Sequence, residues 1–226
     1  MPGRDGEFSL AGYRRILARA LELGYGFQTF ADYLRAPRER VVLLRHDVDV
    51  SLAYALEMAE LEASLHICST FFVRLHASFY NLLEARNLER LRELAALGFE
   101  IGLHQEVSRF AEDRHKAMEL LKKEKELLEF MVGRPIPGVS AHLPKWHALR
   151  GTAALLAAVG FTYAPGQEIF NRGAIFVSDS NRRWKGCSFL EALGRGDKIL
   201  ANIHPVWWVG AIADPAELIE ALIAGR

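Results

Sequence analysis

Two hydrophobic periods alternate along the chain. Val41-Val42-Leu43-Leu44, Ser69 to Val73, Phe99 to Leu103, Val139 to Ala141, Phe161 to Tyr163, Ala174 to Val177 and Ile199 to Ile203 are short β-branched and aliphatic runs that predict strands. Between them lie stretches with apolar residues three and four apart. Ser9 to Leu23 predicts a helix capped by Ser9 and stopped at Gly24, and Ser51 caps another that runs to about Ala63. Asn81 to Leu97 closes at Gly98, and Glu112 to Met131 is a long amphipathic helix with Leu120, Leu121, Leu127, Leu128 and Met131 at helical spacing. Thr152 to Val159 stops at Gly160, and Asp214 with Pro215 opens a last helix. Strands that alternate with helices through short connections imply parallel pairing and right-handed crossovers. Seven such units predict an α/β barrel, and no G-x-G-x-x-G follows any strand to favour an open dinucleotide-binding sheet.

Composition narrows the function classes. The 226 residues are 50% hydrophobic and carry 28 Lys+Arg against 28 Asp+Glu, which excludes a disordered chain and gives no reason to expect a nucleic-acid partner. No linker or repeat interrupts the pattern, so one domain over 1–226 is expected, with 1–40 as an N-terminal helical extension packed on it. No apolar run reaches the ~18 residues of a membrane span, and no signal-type apolar stretch opens the chain. Cys68 and Cys187 have no metal-type spacing and read as buried thiols of a reducing compartment. The expected location is the cytoplasm, with no membrane partner.

The candidate chemistry sits where the strands end. Asp47 and Asp49 close the first strand, His104 the third and His142 the fourth, while Asp179 follows the sixth and His204 closes the seventh. In a parallel barrel these ends gather on one face, which builds the active site. Asp47 and Asp49 are two apart and share a face, and His46 points the other way, toward the helices. Two carboxylates on one face repel unless a cation compensates them. One divalent metal held by two histidines and one carboxylate is the simplest solution; that donor set suits zinc and leaves the second carboxylate free as a base.

Leu44-Arg45-His46-Asp47-Val48-Asp49, Ser69-Thr70-Phe71-Phe72, Gly98 to His104 and Ile203-His204-Pro205 resemble the ordered motifs of the polysaccharide deacetylase superfamily (carbohydrate esterase family 4). Ser178 to Trp184 and His204-Pro205-Val206-Trp207-Trp208 are similar to its cytoplasmic His-Asp-Val-Asp branch, associated with surface-polysaccharide synthesis. The similarity spans about residues 40 to 208. It implies a distorted (β/α)7 barrel that hydrolyses N- or O-acetyl groups with one metal, most simply Zn2+. By position it implies Asp47 as general base, Asp49 and His104 as metal ligands, and His204 as general acid. The family pattern has a second histidine four residues after the first, where this chain has Ser108. His142, which ends the neighbouring strand, is the best replacement, with His147 next.

Other residues are candidates on position. Arg45 shares the face of Asp47 and Glu100 that of His104, so an internal Arg45–Glu100 ion pair that orients Asp47 or simply supports the barrel is expected. Trp184 and Trp207 stand beyond strand ends and can stack on a sugar ring. Arg182 and Arg183 can hold an anionic group, and Asp179 can contact substrate. His66, His76 and His115 read as solvated. The leading function is a metal-dependent hydrolase that removes acetyl from an N-acetylated sugar. The alternatives are a catalytically inactive carbohydrate-binding barrel and a metal hydrolase of an unrelated amide.

Overall fold

The computed structural model describes residues 8–106, 113–142 and 153–210, together with 217, 220 and 224. The element order is α1 (Leu10–Glu22), β1 (Gly26–Gln28), α2 (Phe30–Arg35), β2 (Val41–Val48), α3 (Leu52–Ser64), β3 (Thr70–Val73), α4 (Ala85–Ala96), β4 (Glu100–Gln105) and α5 (Arg114–Val132). There follow β5 (Gly138–Ala141), α6 (Ala153–Val159), α7 (Glu168–Asn171), β6 (Ile175–Ser178), α8 (Phe189–Leu193), β7 (Lys198–Ile203) and α9 (Val206–Val209). Ser9 and Ser51 accept from the Gly12 and Tyr54 amides as N-caps of α1 and α3. The expected caps hold because a side-chain oxygen there satisfies an amide that has no partner within the helix.

All strand pairs are parallel, in the order β5-β4-β3-β2-β7-β6, and β1 pairs with the start of β2. The sheet curls into an α/β half-barrel with helices outside it. β2 is the central strand: β7 runs along one edge over Val41–His46, while β1 and then β3 share the other. Phe161 to Tyr163, expected as a strand, makes a single bridge to Gly138 instead. Thr162 and Tyr163 both donate to the Pro137 carbonyl, and Pro165, which lacks an N–H, ends any extension of the pairing. The seventh strand is Gly26–Gln28, too short to show as a run. Asp214 and Pro215 lie outside the described residues.

Alternate residues of each strand face the barrel interior. Its lower end is apolar: Phe30, Val41, Leu43, Phe72, Tyr163, Phe170 and Leu200 form one buried cluster, with Phe30 stacked on Tyr163 at 5.3 Å. Outside, Phe71, Ile101, Leu103 and Val139 pack under α3, α4 and α5. Val42, Leu44, Ile199 and Ile203 pack under α1, α8 and α9. His46 is buried on this outer side, stacked on Phe71 at 4.3 Å, with Nε2 2.7 Å from Glu62 of α3. The sequence expectation for its direction holds.

Two glycines set the filling of the barrel. A Cβ on Gly102 would overlap the Phe72 ring, and one on Gly138 would overlap Tyr163. Gly102→Ala therefore forces Phe72 out of the layer beneath the polar face. We expect this change to lower stability by about 1–3 kcal/mol, read as a reduced midpoint of denaturant unfolding with an unchanged slope.

Candidate active site

Above the apolar layer the interior turns polar, and the change begins in register: Arg45 of β2 lies opposite Thr70 of β3 on one side and Asn202 of β7 on the other. Arg45 grips Asp47 through Nε at 3.0 Å and Nη2 at 2.7 and 2.6 Å, over the face of Phe72 at 5.0 Å. The expected Arg45–Glu100 pair is corrected here. Glu100 instead accepts from Thr70 at 2.8 Å, from the Tyr163 hydroxyl and from the Ala31 amide, so hydroxyls satisfy it within the barrel. Burial pushes the Glu100 carboxyl up, although these donors act against it. Asp47 goes the other way. Burial alone would raise its pKa, but the Arg45 guanidinium, then His104 and His204, outweigh it and hold the carboxyl well below the usual carboxylate range.

Asp49 lies two residues further on. Its Oδ1 is 3.6 Å from His104 Nε2, 3.7 Å from His142 Nε2 and 3.6 Å from Arg74 Nη1. The two imidazoles lie nearly edge to face, 5.3 Å apart. His104 Nδ1 is 3.2 Å from the Ser140 carbonyl, which can only accept, so Nδ1 carries the proton. His142 Nδ1 is 2.6 Å from Glu106 Oε1. Burial works to raise Glu106, but Arg74 and His142 together hold it below its ordinary value, so it is an ionised acceptor. Burial lowers the His104 pKa against the pull of Asp47 and Asp49, which keeps that ring neutral at pH 7. His104 Nε2 thus turns a lone pair toward Asp49, and His142 Nε2 faces the same oxygen. Asp49 Oδ1 is buried with no hydrogen-bond partner.

That arrangement has the chemistry of a cation site. Buried acceptors facing one another without a donor are costly unless a positive charge lies between them. The donor set of one carboxylate oxygen and two imidazole nitrogens suits zinc, with each ring's far nitrogen fixed by a second partner. At these separations no three His, Cys, Asp or Glu side chains among the described residues form a ready-made metal cage. The residue types and lone pairs fit a metal; the spacing is open. Ser108 and His147 lie outside the described residues.

His204 stands across the barrel, with Nε2 3.9 Å from Asp47 and 4.0 Å from Asp49. Its Nδ1 is 2.6 Å from Asp179 Oδ1, and Asp179 also accepts from the His204 amide and from Trp208 Nε1 at 2.7 Å. Asp179 is 0% exposed, so the substrate contact expected of it is corrected: it is the buried partner that orients His204. Burial opposes charging the ring, but Asp179, with Asp47 and Asp49 behind it, prevails and raises the His204 pKa to about 9. After Asp179 the chain makes a tight turn in which Asn181 and Arg182 both take left-handed backbone angles, φ 58° and 56°. Arg182 donates to the Phe8 carbonyl at 3.2 Å, and Arg183 is exposed. Trp184 stacks on Phe8 at 5.5 Å, and Trp207 and Trp208 are buried in the same outer cluster. Arg182 and Trp184 thus pack on Phe8, and Trp207, 9% exposed, presents little open face for a sugar ring.

Two residues of the site were not anticipated. Arg74, 4% exposed, holds Glu106 Oε2 at 2.7 Å as well as approaching Asp49. Glu106 orients His142. Both had a signal: Arg74 stands two residues after Phe72 and Glu106 two after His104, each continuing the inward face of the strand it follows.

No protein-family model and no curated protein matches this chain. Solved structures do. A mutant with restored enzymatic activity of a CE4 family pseudoenzyme superposes with a TM-score of 0.55 at 13% identity over 84% of this chain, which spans 63% of that one. The wild-type pseudoenzyme, from Bacillus anthracis, superposes at 0.54 and 13% identity over 84% of this chain and 61% of its own. The Streptococcus pyogenes deacetylase PplD in complex with acetate gives 0.54 at 14% identity, over 94% of this chain and 86% of that one. IcaB from Ammonifex degensii gives 0.51 at 17% identity, over 99% and 91%. The chain has the α/β barrel fold of the CE4 deacetylases.

The His204–Asp179 pair carries its own test. In chelator-treated protein the His204 imidazole resonances are expected to titrate near pH 9, and in Asp179→Asn the midpoint falls back toward 6.5. The folded chain holds this proton more tightly than the unfolded one. The stabilisation is therefore complete below about pH 6.5 and is lost as pH rises through 9. A midpoint unmoved by Asp179→Asn refutes the assignment.

Proposed function

We propose that the chain is a metal-dependent deacetylase that removes acetyl from an N-acetylated sugar, in the cytoplasm and in surface-polysaccharide metabolism. The observation that carries it is the buried, unpartnered Asp49 Oδ1 with His104 and His142 Nε2 at 3.6 and 3.7 Å, flanked by two groups of opposite protonation, Asp47 and His204. Asp49, His104 and His142 would hold one divalent ion, zinc by donor type. Bound there, it supplies Lewis acidity toward the acetyl carbonyl and makes an attacking water more acidic.

The chain's own residues divide the proton work. Asp47 is ionised throughout the neutral range, and its pairing with Arg45 makes it a weak base, so it serves only toward an already acidified water. It takes that water's proton at Oδ2, which accepts only one of the three Arg45 hydrogen bonds. His204 is charged below about pH 9 and presents Nε2–H to the same space, where it can protonate the departing amine, a poor leaving group otherwise. Asp179 keeps that proton on the outward nitrogen by holding the other. The acetate held by PplD is the kind of product this reaction releases. We read residues 8–40 as part of the same barrel domain, where α1 and α2 are joined by Gly26–Gln28, a strand of the sheet, so that the segment is more than the helical extension expected.

A carbohydrate-binding barrel without turnover is the second reading, favoured by Ser108 at the family's histidine position and by the open spacing around Asp49. Metal content and acetate release separate the two. Asp47→Asn is expected to keep the metal and lose about 10²–10⁴-fold in turnover. Asp49→Asn loses both, and His142→Ala weakens zinc binding as much as His104→Ala does. Unchanged affinity in His142→Ala removes that residue from the ligand set. Wild-type protein that binds zinc but releases no acetate from any N-acetylated sugar sinks the enzyme reading.

A further inference from the structure

We infer that Arg74 is a built-in counter-cation of the proposed metal site, a positioning residue that weakens the hold on the ion. The inference rests on the reading of Asp49, His104 and His142 as ligands. Arg74 begins where β3 ends, and its backbone amide is fixed 3.0 Å from the Tyr80 hydroxyl, which also donates to the Val48 carbonyl at 2.8 Å. The guanidinium is therefore tied at its base to the end of β2, one residue before Asp49. At its tip, Nη2 is 2.7 Å from Glu106 Oε2, while Glu106 Oε1 takes the His142 Nδ1 proton at 2.6 Å. Nη1 lies 3.6 Å from Asp49 Oδ1, the same oxygen that both imidazole Nε2 atoms face. That distance is too long for a hydrogen bond, so Arg74 contributes its charge there rather than a donor.

The consequence follows from charge. With no ion bound, a guanidinium that is only 4% exposed offsets Asp49 and Glu106. With an ion bound, the same fixed charge repels it across a poorly solvated gap, because an arginine cannot neutralise itself by losing a proton. The repulsion favours loss of a proton from any water that reaches the ion. Arg74 exchanges tight retention for acidity, and Glu106 links that exchange to the orientation of His142.

The test is zinc affinity of the full-length, chelator-treated protein, measured by competition with a chromophoric chelator. Arg74→Gln keeps an amide donor for Glu106 and removes the charge. It is expected to bind zinc at least tenfold more tightly than wild type, while Arg74→Lys, which keeps the charge, stays within about threefold. Arg74→Met repeats the measurement without charge if the Gln variant does not fold. A purely structural arginine gives the reverse order, with affinity lost in Gln and Met as His142 loosens. Equal or weaker binding in the neutral variants, with wild type binding normally, overturns this inference alone. Zinc binding in neither wild type nor variants overturns the metal reading with it. Binding only in the neutral variants supports the inference in its strongest form.

Discussion

Four carboxylates, Asp47, Asp49, Glu106 and Asp179, are gathered at one end of a barrel whose other end is filled with aromatic rings, and compensating their charge is the constraint on which the rest depends. Each has a distinct answer. Asp47 is clamped by Arg45, Glu106 by Arg74 and His142, and Asp179 by the imidazole and amide of His204 and the Trp208 indole. Asp49 has charge nearby and no hydrogen bond on Oδ1. Ionised partners make buried carboxylates tolerable and fix their geometry, whereas an unsatisfied one is expensive. Asp49, whose ion-pair partners among the described residues come no nearer than 3.6 Å, is therefore the informative residue.

The same bookkeeping separates the two central aspartates, which the sequence alone treats alike. They are two residues apart and point the same way, yet Asp47 accepts three hydrogen bonds from Arg45 while Asp49 Oδ1 accepts none. A carboxylate held by a guanidinium is a poorer ligand but keeps its ionisation; an oxygen without a donor invites a cation. His104 touches both sets at 3.6 Å, so the roles are divided by partners rather than by position.

Much of this was legible because strand ends in a parallel barrel are themselves a sequence signal. Asp47, Asp49, His104, His142 and His204 each end or follow a recognisable apolar run, and the structure brings them together. The failures have local causes. Asp179 sits at a strand end but is turned inward by His204 and Trp208, and no pattern along the chain reveals that partner. Arg74 and Glu106 lie one pleat beyond the apolar runs that close at Val73 and His104, so the run pattern itself does not reach them. Phe161 to Tyr163 has strand composition, but Pro137 and Pro165 leave it a single bridge. Gly26–Gln28 has no apolar run and is a strand only because the start of β2 has a free edge.

The position of β5 in the sheet adds a thermodynamic asymmetry to the site. Asp49 follows the central strand and His104 is on a strand paired along both edges, whereas His142 follows a four-residue strand that, among the described residues, pairs with β4 and otherwise bridges Tyr163. Edge strands with few neighbours open locally at lower free energy than central ones. Of the three donors proposed for a metal, two are thus fixed by folding, and the third is held by Glu106 and a short ladder. In that proposed site, metal occupancy and protection of the β5 amides against hydrogen exchange would be linked quantities, so that ligation at His142 would reinforce the β4–β5 pairing.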